Sequence, residues 1–445
     1  MSKHFSAGRG LFLILAVFLV FSQTKVFAQA SDPALLKRLE QMEARINELE
    51  ARLAVYENRE QGRQEKLDMV DEKIDGLAGR IQEPPSAATP RMIEGFAIGA
   101  GATGVYQFTD KANSDDLSQN SEDVGDASYS VDLEIAKEFS DHQRALILFE
   151  AGEGAGVEDE LKVFSNVNFD ATGGDSNVGI VEGWYEQEFG PATVRAGKLD
   201  ATYLIDANAY ANDEASQFLG RMFRNNPAIE FSDNGGGLRL AWAATEWADV
   251  ESVIMDGNAD WDDLFDGPFY AGQVNIKPDF FDRPGNYRLL GWGSSRQHTQ
   301  WDDVAKSKEL TYGFGLSFDQ EISDHWGVFA RYGWQNPEVY LNGEDFSLEQ
   351  AYSVGLQCTG GLWHRDDDVF AVAFGGIIPS DDYKRSDSTL KAHTEYHWEA
   401  YYNYKINDHL SISPDVQVIL NPFGGDAANG DETVVVTGIR SQVDF

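Results

Sequence analysis

Residues 311–320 read Thr311-Tyr312-Gly313-Phe314-Gly315-Leu316-Ser317-Phe318-Asp319-Gln320. Large apolar side chains occupy every second position, and small or polar side chains fill the positions between them. Successive side chains of a β-strand point to opposite faces, so this stretch predicts a strand with one apolar and one polar face. Its length of about ten residues is what a tilted strand needs to cross a bilayer.

The same alternation recurs through the rest of the chain. It is clearest in residues 96–108, 129–139, 396–404 and 410–420. A soluble β-sandwich also alternates, but aromatic residues at strand ends and full charges on the polar face favour a membrane barrel with a wet lumen. At about 22 residues per strand and loop, residues 93–445 predict about sixteen antiparallel strands, and bacterial barrels favour even numbers.

Three short connections share a Ser or Asn followed by Asp and His. They are residues 138–142, 321–325 and 405–409. Ser and Asn side chains bond their own backbone in tight turns, so we predict three periplasmic hairpins. We expect no metal site, because the three histidines belong to separate turns. The longer polar inserts, predicted as external loops, are 109–127, 152–178, 255–267 and 421–432.

Residues 1–30 have the features of a secretory signal peptide. Lys3 and Arg9 precede an apolar run over residues 11–21, and Ala28-Gln29-Ala30 forms a small-x-small cleavage site. The alternative is a retained membrane anchor, but the run of about eleven residues is short of the roughly 20 that a spanning helix needs. We therefore predict export to the outer membrane of a Gram-negative bacterium.

Composition narrows the possible partners. Acidic residues outnumber basic ones 74 to 35, which gives a formal net charge of −39 at pH 7. Nucleic acid is not an expected partner, because phosphate binding needs a basic surface. The same acidity suits a channel mouth that favours cations. Cys358 is the only cysteine, so no internal disulfide is possible.

Residues 31–83 follow a seven-residue apolar repeat, which Glu60 and Arg63 interrupt. The seam is formed by Leu39, Met42, Ile46, Leu49, Leu53, Leu67, Val70, Ile74 and Leu77. A single helix cannot bury such a stripe, so we predict a periplasmic α-helical coiled coil. The alternative is one amphipathic helix lying on the barrel. Three prolines end the repeat and make residues 84–92 a semi-rigid linker.

The chain ends in a strand pattern that places Val435, Ile439, Val443 and Phe445 on one face. A final strand with a terminal aromatic residue resembles the signal that the outer-membrane insertion machinery recognises. We therefore expect this strand to close the barrel domain, residues 93–445, with Phe445 as the assembly signal.

Several stretches resemble the carbohydrate-selective porin family of the OprB type. They are residues 195–200, 217–219, 225–227, 285–289, 313–320, 329–334, 399–402, 413–417 and 421–422. The resemblance implies a sixteen-stranded barrel that an inward-folded loop narrows, and passive diffusion of small hydrophilic solutes, carbohydrates above all. It also implies a homotrimer, because porins usually assemble in threes, although the coiled-coil seam leaves a dimer open. The alternative is a general or cation-preferring porin whose coiled coil also tethers the membrane to the cell wall.

The resemblance further implies that residues 211–234 form the inward loop, the alternative being an ordinary external loop. The expected constriction and solute path comprise Asp213, Glu214, Arg221, Arg224, Asn225, Asn226, Glu182, Trp184, Arg195, Lys198 and Arg331. Opposed carboxylates and guanidiniums can exchange hydrogen bonds with sugar hydroxyls in turn. No serine and histidine form a recognisable hydrolase motif, so we expect no catalysis, no cofactor and no bound metal.

Overall fold

A computed structural model describes residues 95–114, 123–171, 177–262, 267–280 and 282–445. The strands are β1 (Phe96–Thr109), β2 (Val124–Ser140), β3 (Gln143–Glu153), β4 (Gly179–Phe189), β5 (Ala192–Leu199), β6 (Gly235–Thr245), β7 (Ala248–Met255), β8 (Phe269–Ile276), β9 (Asp279–Phe280), β10 (Arg283–Gln300), β11 (Glu309–Ser323), β12 (Trp326–Gln335), β13 (Val339–Leu341), β14 (Leu348–Thr359), β15 (Val369–Pro379), β16 (Glu395–Asn407), β17 (Leu410–Leu420) and β18 (Val434–Asp444).

Helical structure in the described residues is confined to short pieces between strands. They are α1 (Ala201–Leu204), α2 (Arg221–Arg224), α3 (Asp381–Ser386) and the 3₁₀ turns Glu158–Glu160, Gly360–Trp363 and Pro422–Gly425. None of the helices in this part of the chain is long and apolar enough to cross a membrane. The predicted signal peptide, coiled-coil seam and linker lie outside the described residues.

Sixteen long strands form a closed antiparallel barrel, which confirms the predicted fold. Each strand pairs with the next long strand along the chain, and β1 pairs with both β2 and β18. The terminal residue supports this closure, because the Phe445 N–H donates to the Ala100 carbonyl at 2.9 Å. The two short strands, β9 and β13, add to β10 outside the main ring.

The alternation predicted from the sequence separates the two faces of the wall. On β11, Tyr312 and Phe314 remain exposed on the outer face, whereas Ser317 and Asp319 are buried inside. Exposed aromatic and aliphatic side chains recur on other strands, among them Ile98, Tyr129, Val131, Leu133, Leu240, Trp242, Trp398 and Ile439. Apolar side chains outside and polar ones inside are the arrangement of a barrel that sits in lipid.

The three predicted hairpins are two-residue turns at one end of the barrel, here named the turn end. In each, the backbone N–H of the histidine donates to the side chain two residues earlier: His142 to Ser140 at 3.3 Å, His325 to Ser323 at 3.4 Å and His409 to Asn407 at 2.8 Å. A fourth turn uses the same bond, from Trp247 to Thr245 at 3.3 Å. The shared sequence pattern did not predict this fourth turn, because its residues are Thr, Glu and Trp.

The long connections all lie at the opposite end, named the loop end. Two of them continue into the barrel. Residues 200–234, here the lumen segment, run between β5 and β6 and carry α1 and α2. Residues 154–171, here the mouth segment, follow β3.

The mouth segment corrects the expectation that residues 152–178 form an ordinary external loop. Val157, Leu161 and Val167 are buried against Ile419 and other apolar residues of β17 and β18. The physical reason is hydrophobic burial, because a loop this rich in valine and leucine gains by packing inside the mouth.

Candidate channel constriction

The lumen segment is held to the far wall by an arginine on the inner face of β12. Arg331 is fully buried and pairs with Asp206, with Nε 3.0 Å from Oδ2. Its two terminal nitrogens donate to the carbonyls of Phe223 (2.5 Å), Ala211 (2.6 Å) and Asp206 (3.0 Å). One side chain therefore satisfies three buried backbone acceptors of a segment that has no regular structure there.

Two further wall residues repeat this arrangement. Arg440 of β18 donates to the carbonyls of Glu214 at 2.6 Å and Gln217 at 2.9 Å. Glu399 of β16 accepts from the N–H groups of Leu219 at 2.6 Å and Gly220 at 3.0 Å. The charged inner faces of β12, β16 and β18 thus bind the backbone of the lumen segment and do not line water.

Apolar packing supports these polar anchors. Met222 of α2 is buried against β15, where a Cβ built on Gly375 would lie 2.2 Å from the Met222 Cε atom. Phe218 packs edge-on against Tyr401 of β16, with ring centroids 5.0 Å apart. The missing side chain at Gly375 therefore leaves room for Met222 and allows the close approach of α2 to the wall, and the lumen segment seals this side of the barrel.

An open path remains on the other side, along the inner faces of β2 to β4. Asp132, Glu134, Glu150 and Glu182 keep part of their surface exposed there. In contrast, the inner-face residues of β11, β12, β16 and β17 are nearly all sealed. The path is consequently off-centre and has an acidic outer wall.

The mouth segment adds another carboxylate to this path. Ser130 of β2 donates from Oγ to Asp170 Oδ1 at 2.9 Å. Burial raises the pKa of Asp170 to about 7, and the nearby carboxylates of Glu214, Asp132 and Glu150 act in the same direction. These four side chains are thus close enough to repel one another across the path.

The lumen segment contributes an ion pair to the inner side of the path. Arg224 Nε lies 2.7 Å from Glu214 Oε2, and the guanidinium carbon lies 4.3 Å from the ring centre of Tyr203 and 4.8 Å from that of Phe169. Arg224 is only 1% exposed, whereas Tyr203 is 49% exposed. Tyr203 and Glu214 therefore face the path, and Arg224 supports them from behind.

Towards the turn end, the path passes a group of arginines around one carboxylate. Glu186 lies 2.9 Å from Arg144, 2.8 Å from Arg195 and 3.2 Å from Arg239. The Arg195 guanidinium stacks 3.8 Å from the Trp184 ring. Here the basic groups outnumber the acid, so the charge of the lining changes along the path.

The predicted site residues therefore separate into several groups. Glu182, Trp184, Arg195 and Glu214 border the path. Arg331 and Arg224 lie inside the barrel but are sealed as anchors and supports. Asp213 stabilises a turn, accepting at Oδ1 from the Ala215 N–H at 2.9 Å. Arg221 faces a separate cavity at the loop end.

Three predicted residues have different positions from those expected. Asn225 and Asn226 are buried, because Asn225 donates to the Thr202 carbonyl at 3.1 Å and the Asn226 N–H donates to Asp206 at 2.8 Å. Lys198 alternates with Arg195 and Gly197 and so belongs to the outer face. Its ammonium donates to the Ile180 carbonyl at 2.7 Å, which places it away from the lumen.

Sequence reasoning missed Asp132, Glu150, Asp170, Phe169 and Tyr203. For Asp132 and Glu150, the signal was available, since both occupy the polar parity of their strands. Phe169 and Asp170 belong to a segment whose apolar content indicated inward packing. Nothing in the sequence pattern marks Tyr203. Among the described residues, no group of three or more His, Cys, Asp or Glu side chains is arranged to hold a metal ion.

Comparisons with known proteins agree with this geometry. The solved structures that share the fold include OprB of Pseudomonas putida at high pH, with a TM-score of 0.68 and 16% identity over 79% of this chain and 94% of that one. They also include the outer membrane channel DcaP of Acinetobacter baumannii, with a TM-score of 0.51 and 12% identity over 79% of this chain and 97% of that one.

A curated relative covers less of the chain. An uncharacterized protein of Aquifex aeolicus (strain VF5) is 26% identical over 149 residues, which is 34% of this chain and 41% of that protein's length. The family comparison is broader, because residues 120–445 match the profile of the carbohydrate-selective porins. The chain belongs to the carbohydrate-selective porin, OprB family.

Proposed function

We propose that the protein is an outer-membrane porin through which small hydrophilic solutes, sugars above all, diffuse passively. The observation that carries this proposal is the closed barrel with a lumen segment docked on one wall and a narrow polar path left along the other. Family membership supports sugars as the solute class.

The lining explains how such a path can pass sugars without holding them. Carboxylates such as Glu150 and Glu182 accept hydrogen bonds from hydroxyl groups, and Arg195 donates to hydroxyl oxygens further along. A sugar can exchange these partners one at a time, so it replaces bound water without meeting a deep energy minimum. Fixed donors and acceptors are needed for this exchange, and the barrel wall together with the anchored lumen segment provides them.

A cation-preferring channel is the second candidate function. The observation that favours it is the group of partly exposed carboxylates at Asp132, Glu150, Asp170 and Glu182. Lining charges of one sign raise the local concentration of counter-ions and repel solutes of the same sign. Cation preference and sugar diffusion are compatible functions, because an acidic path excludes anions and still admits neutral solutes.

The predicted coiled coil bears on how the protein assembles and how the barrel is oriented in the membrane. With residues 31–83 in the periplasm, the nearby start of β1 puts the turn end on the periplasmic side and the loop end outside. A seam of mixed isoleucine and leucine allows a dimer or a trimer, and the usual assembly of porins in threes favours a homotrimer. A rod attached to the barrel can also tether the membrane to the cell wall. Phe445 is the proposed recognition residue for the insertion machinery.

Replacing the main anchor should widen the path. We expect Arg331→Met to leave three carbonyls without this donor and the Asp206 carboxylate without its ion-pair partner, loosening the lumen segment. In liposome swelling, a disaccharide should then enter severalfold faster relative to a monosaccharide than in the wild type. Arg365→Met is the matched control, since Arg365 also pairs with an aspartate and binds a carbonyl, but at the turn end. Unchanged relative rates would contradict the anchoring role.

Removing carboxylates should change ion selectivity. The double variant Asp132→Asn and Glu150→Gln should lower the cation-to-anion permeability ratio severalfold in planar-bilayer reversal potentials, because it removes two charges from the path. Asp141→Asn with Glu246→Gln makes the same charge change on exposed turns and should have little effect. Because Asp170 loses its charge below a pH of about 7, the cation preference should also weaken as pH falls through that value. Anion preference in the wild type would exclude this reading.

Deleting residues 31–83 should convert the trimer into monomers. The purified, detergent-solubilised protein should fall to one third of its mass in light scattering, because the deletion removes the seam. Leu49→Glu with Ile74→Glu breaks the same seam without shortening the chain and serves as the control. The deletion should also reduce the amount of protein that is recovered with isolated cell wall. Equal recovery would contradict the tether, and a trimer that persists without residues 31–83 would contradict the assembly role.

A further inference from the structure

A cavity of about 380 Å³ lies on the loop-end side of the lumen segment. Its walls come from α2, residues 227–233, the mouth segment and the loop-end parts of β10 to β14. Pockets for small ligands begin at about 300 Å³, so one monosaccharide fits this volume. The cavity is separate from the path along β2 to β4, because it is lined from the opposite part of the ring.

Arg221 gives this cavity an uncommitted hydrogen-bond donor. Its backbone N–H is fixed to the Asn166 carbonyl at 3.0 Å. Within the part of the chain that the structure describes, its guanidinium joins no ion pair and donates no hydrogen bond. The other basic side chains of the cavity already have a partner, since Arg296 lies 2.6 Å and His298 2.9 Å from Glu230. The guanidinium carbon of Arg221 lies 5.9 Å from the ring centre of Phe169. A half-buried guanidinium without a hydrogen-bond partner is unusual, because each unmade bond carries a desolvation cost.

A second unpaired group lines the same cavity. Ser165 is 1% exposed, and its Oγ has no hydrogen-bond partner in the described residues. Acceptors are present as well, on Asp233 and Gln335, and the rings of Phe231 and Tyr340 supply flat apolar surface. Polar side chains thus form most of the lining, with aromatic rings among them, and this composition suits a ligand that carries many hydroxyl groups.

The lining favours an uncharged ligand. A carboxylate on the solute would be attracted by Arg221 but repelled by Glu230, Asp233 and Glu344. A cationic solute would be attracted by the carboxylates but repelled by Arg221 and Arg296. Sugar hydroxyl groups both donate and accept, so they can satisfy the two kinds of group together.

We propose that this cavity is an entry site where a neutral monosaccharide binds before it reaches the path, with Arg221 as its principal donor. The inference rests on the proposed function and adds the place and the residues of first binding. A sugar held there raises its concentration next to the path while the lumen segment keeps the far wall sealed.

The test is the block of ion current by glucose in planar bilayers that contain the full-length protein. The measured quantity is the glucose concentration that halves the current. Arg221→Gln should raise it about tenfold, because a hydrogen bond from a charged group is lost. Ser165→Ala should raise it less, by about threefold, as expected for a neutral hydroxyl. Arg385→Gln is the matched control, since Arg385 is an exposed loop-end arginine outside the cavity.

The current measured before glucose is added reports whether each variant forms an open barrel. Equal half-blocking concentrations for Arg221→Gln and Arg385→Gln would overturn the proposal. If Arg221→Gln gives no current, an unchanged half-blocking glucose concentration for Ser165→Ala would overturn the proposal. Stronger block by gluconate than by glucose would overturn the neutral ligand class. Failure of glucose to swell wild-type liposomes would refute the proposed function itself, whereas normal swelling with unchanged block refutes only this site.

Discussion

The structure depends on how the backbone of the lumen segment is satisfied inside the barrel. A loop that leaves water carries N–H and C=O groups that need partners, and each unpaired one is costly. Arg331, Arg440 and Glu399 supply those partners from three strands of the far wall. Charged residues that look like pore lining by their parity are thereby used to build the constriction.

This use of the far wall makes the lumen asymmetric. The lumen segment, the mouth segment and the inner faces of β12 to β18 form one sealed body with its own apolar core around Phe218 and Met222. Water and solutes are left with the inner faces of β2 to β4, and with those of β5 and β6 towards the turn end. Acidic groups dominate the upper part of that route, and arginines around Glu186 dominate the lower part. The net acidity of the chain is consequently not a measure of the charge at every depth.

Much of the fold was predictable from periodicity alone. The two-residue alternation gives the outer and inner faces of β11, and the hydroxyl or amide before each histidine turn gives three of the hairpins. Alternation and turn residues are local properties of the sequence, so they can be recognised without knowledge of the rest of the chain. Lys198 was predicted in the solute path beside Arg195. This prediction is wrong, because strand parity puts the two side chains on opposite faces of the sheet.

The candidate site was harder to predict, because parity gives the face of a residue and not what occupies the space in front of it. Arg331 and Arg224 were assigned to the solute path, but the structure seals both. The partners of Arg331 are distant in sequence, since it binds carbonyls 108, 120 and 125 residues earlier. No local pattern encodes such a pairing. Asn225 and Asn226 are polar for a similar reason, because their side chains pair with buried backbone groups, the Thr202 carbonyl and the Ala228 N–H.

Disulfide trapping between α2 and β15 tests the docking of the lumen segment most directly. In a Cys358→Ser background, cysteines at positions 222 and 375 should cross-link on mild oxidation in intact membranes, because a Cβ at Gly375 would lie 3.2 Å from the Met222 Cγ atom. We expect efficient cross-linking with the path still open to ions. A correctly inserted barrel in which the two cysteines never join would contradict the account.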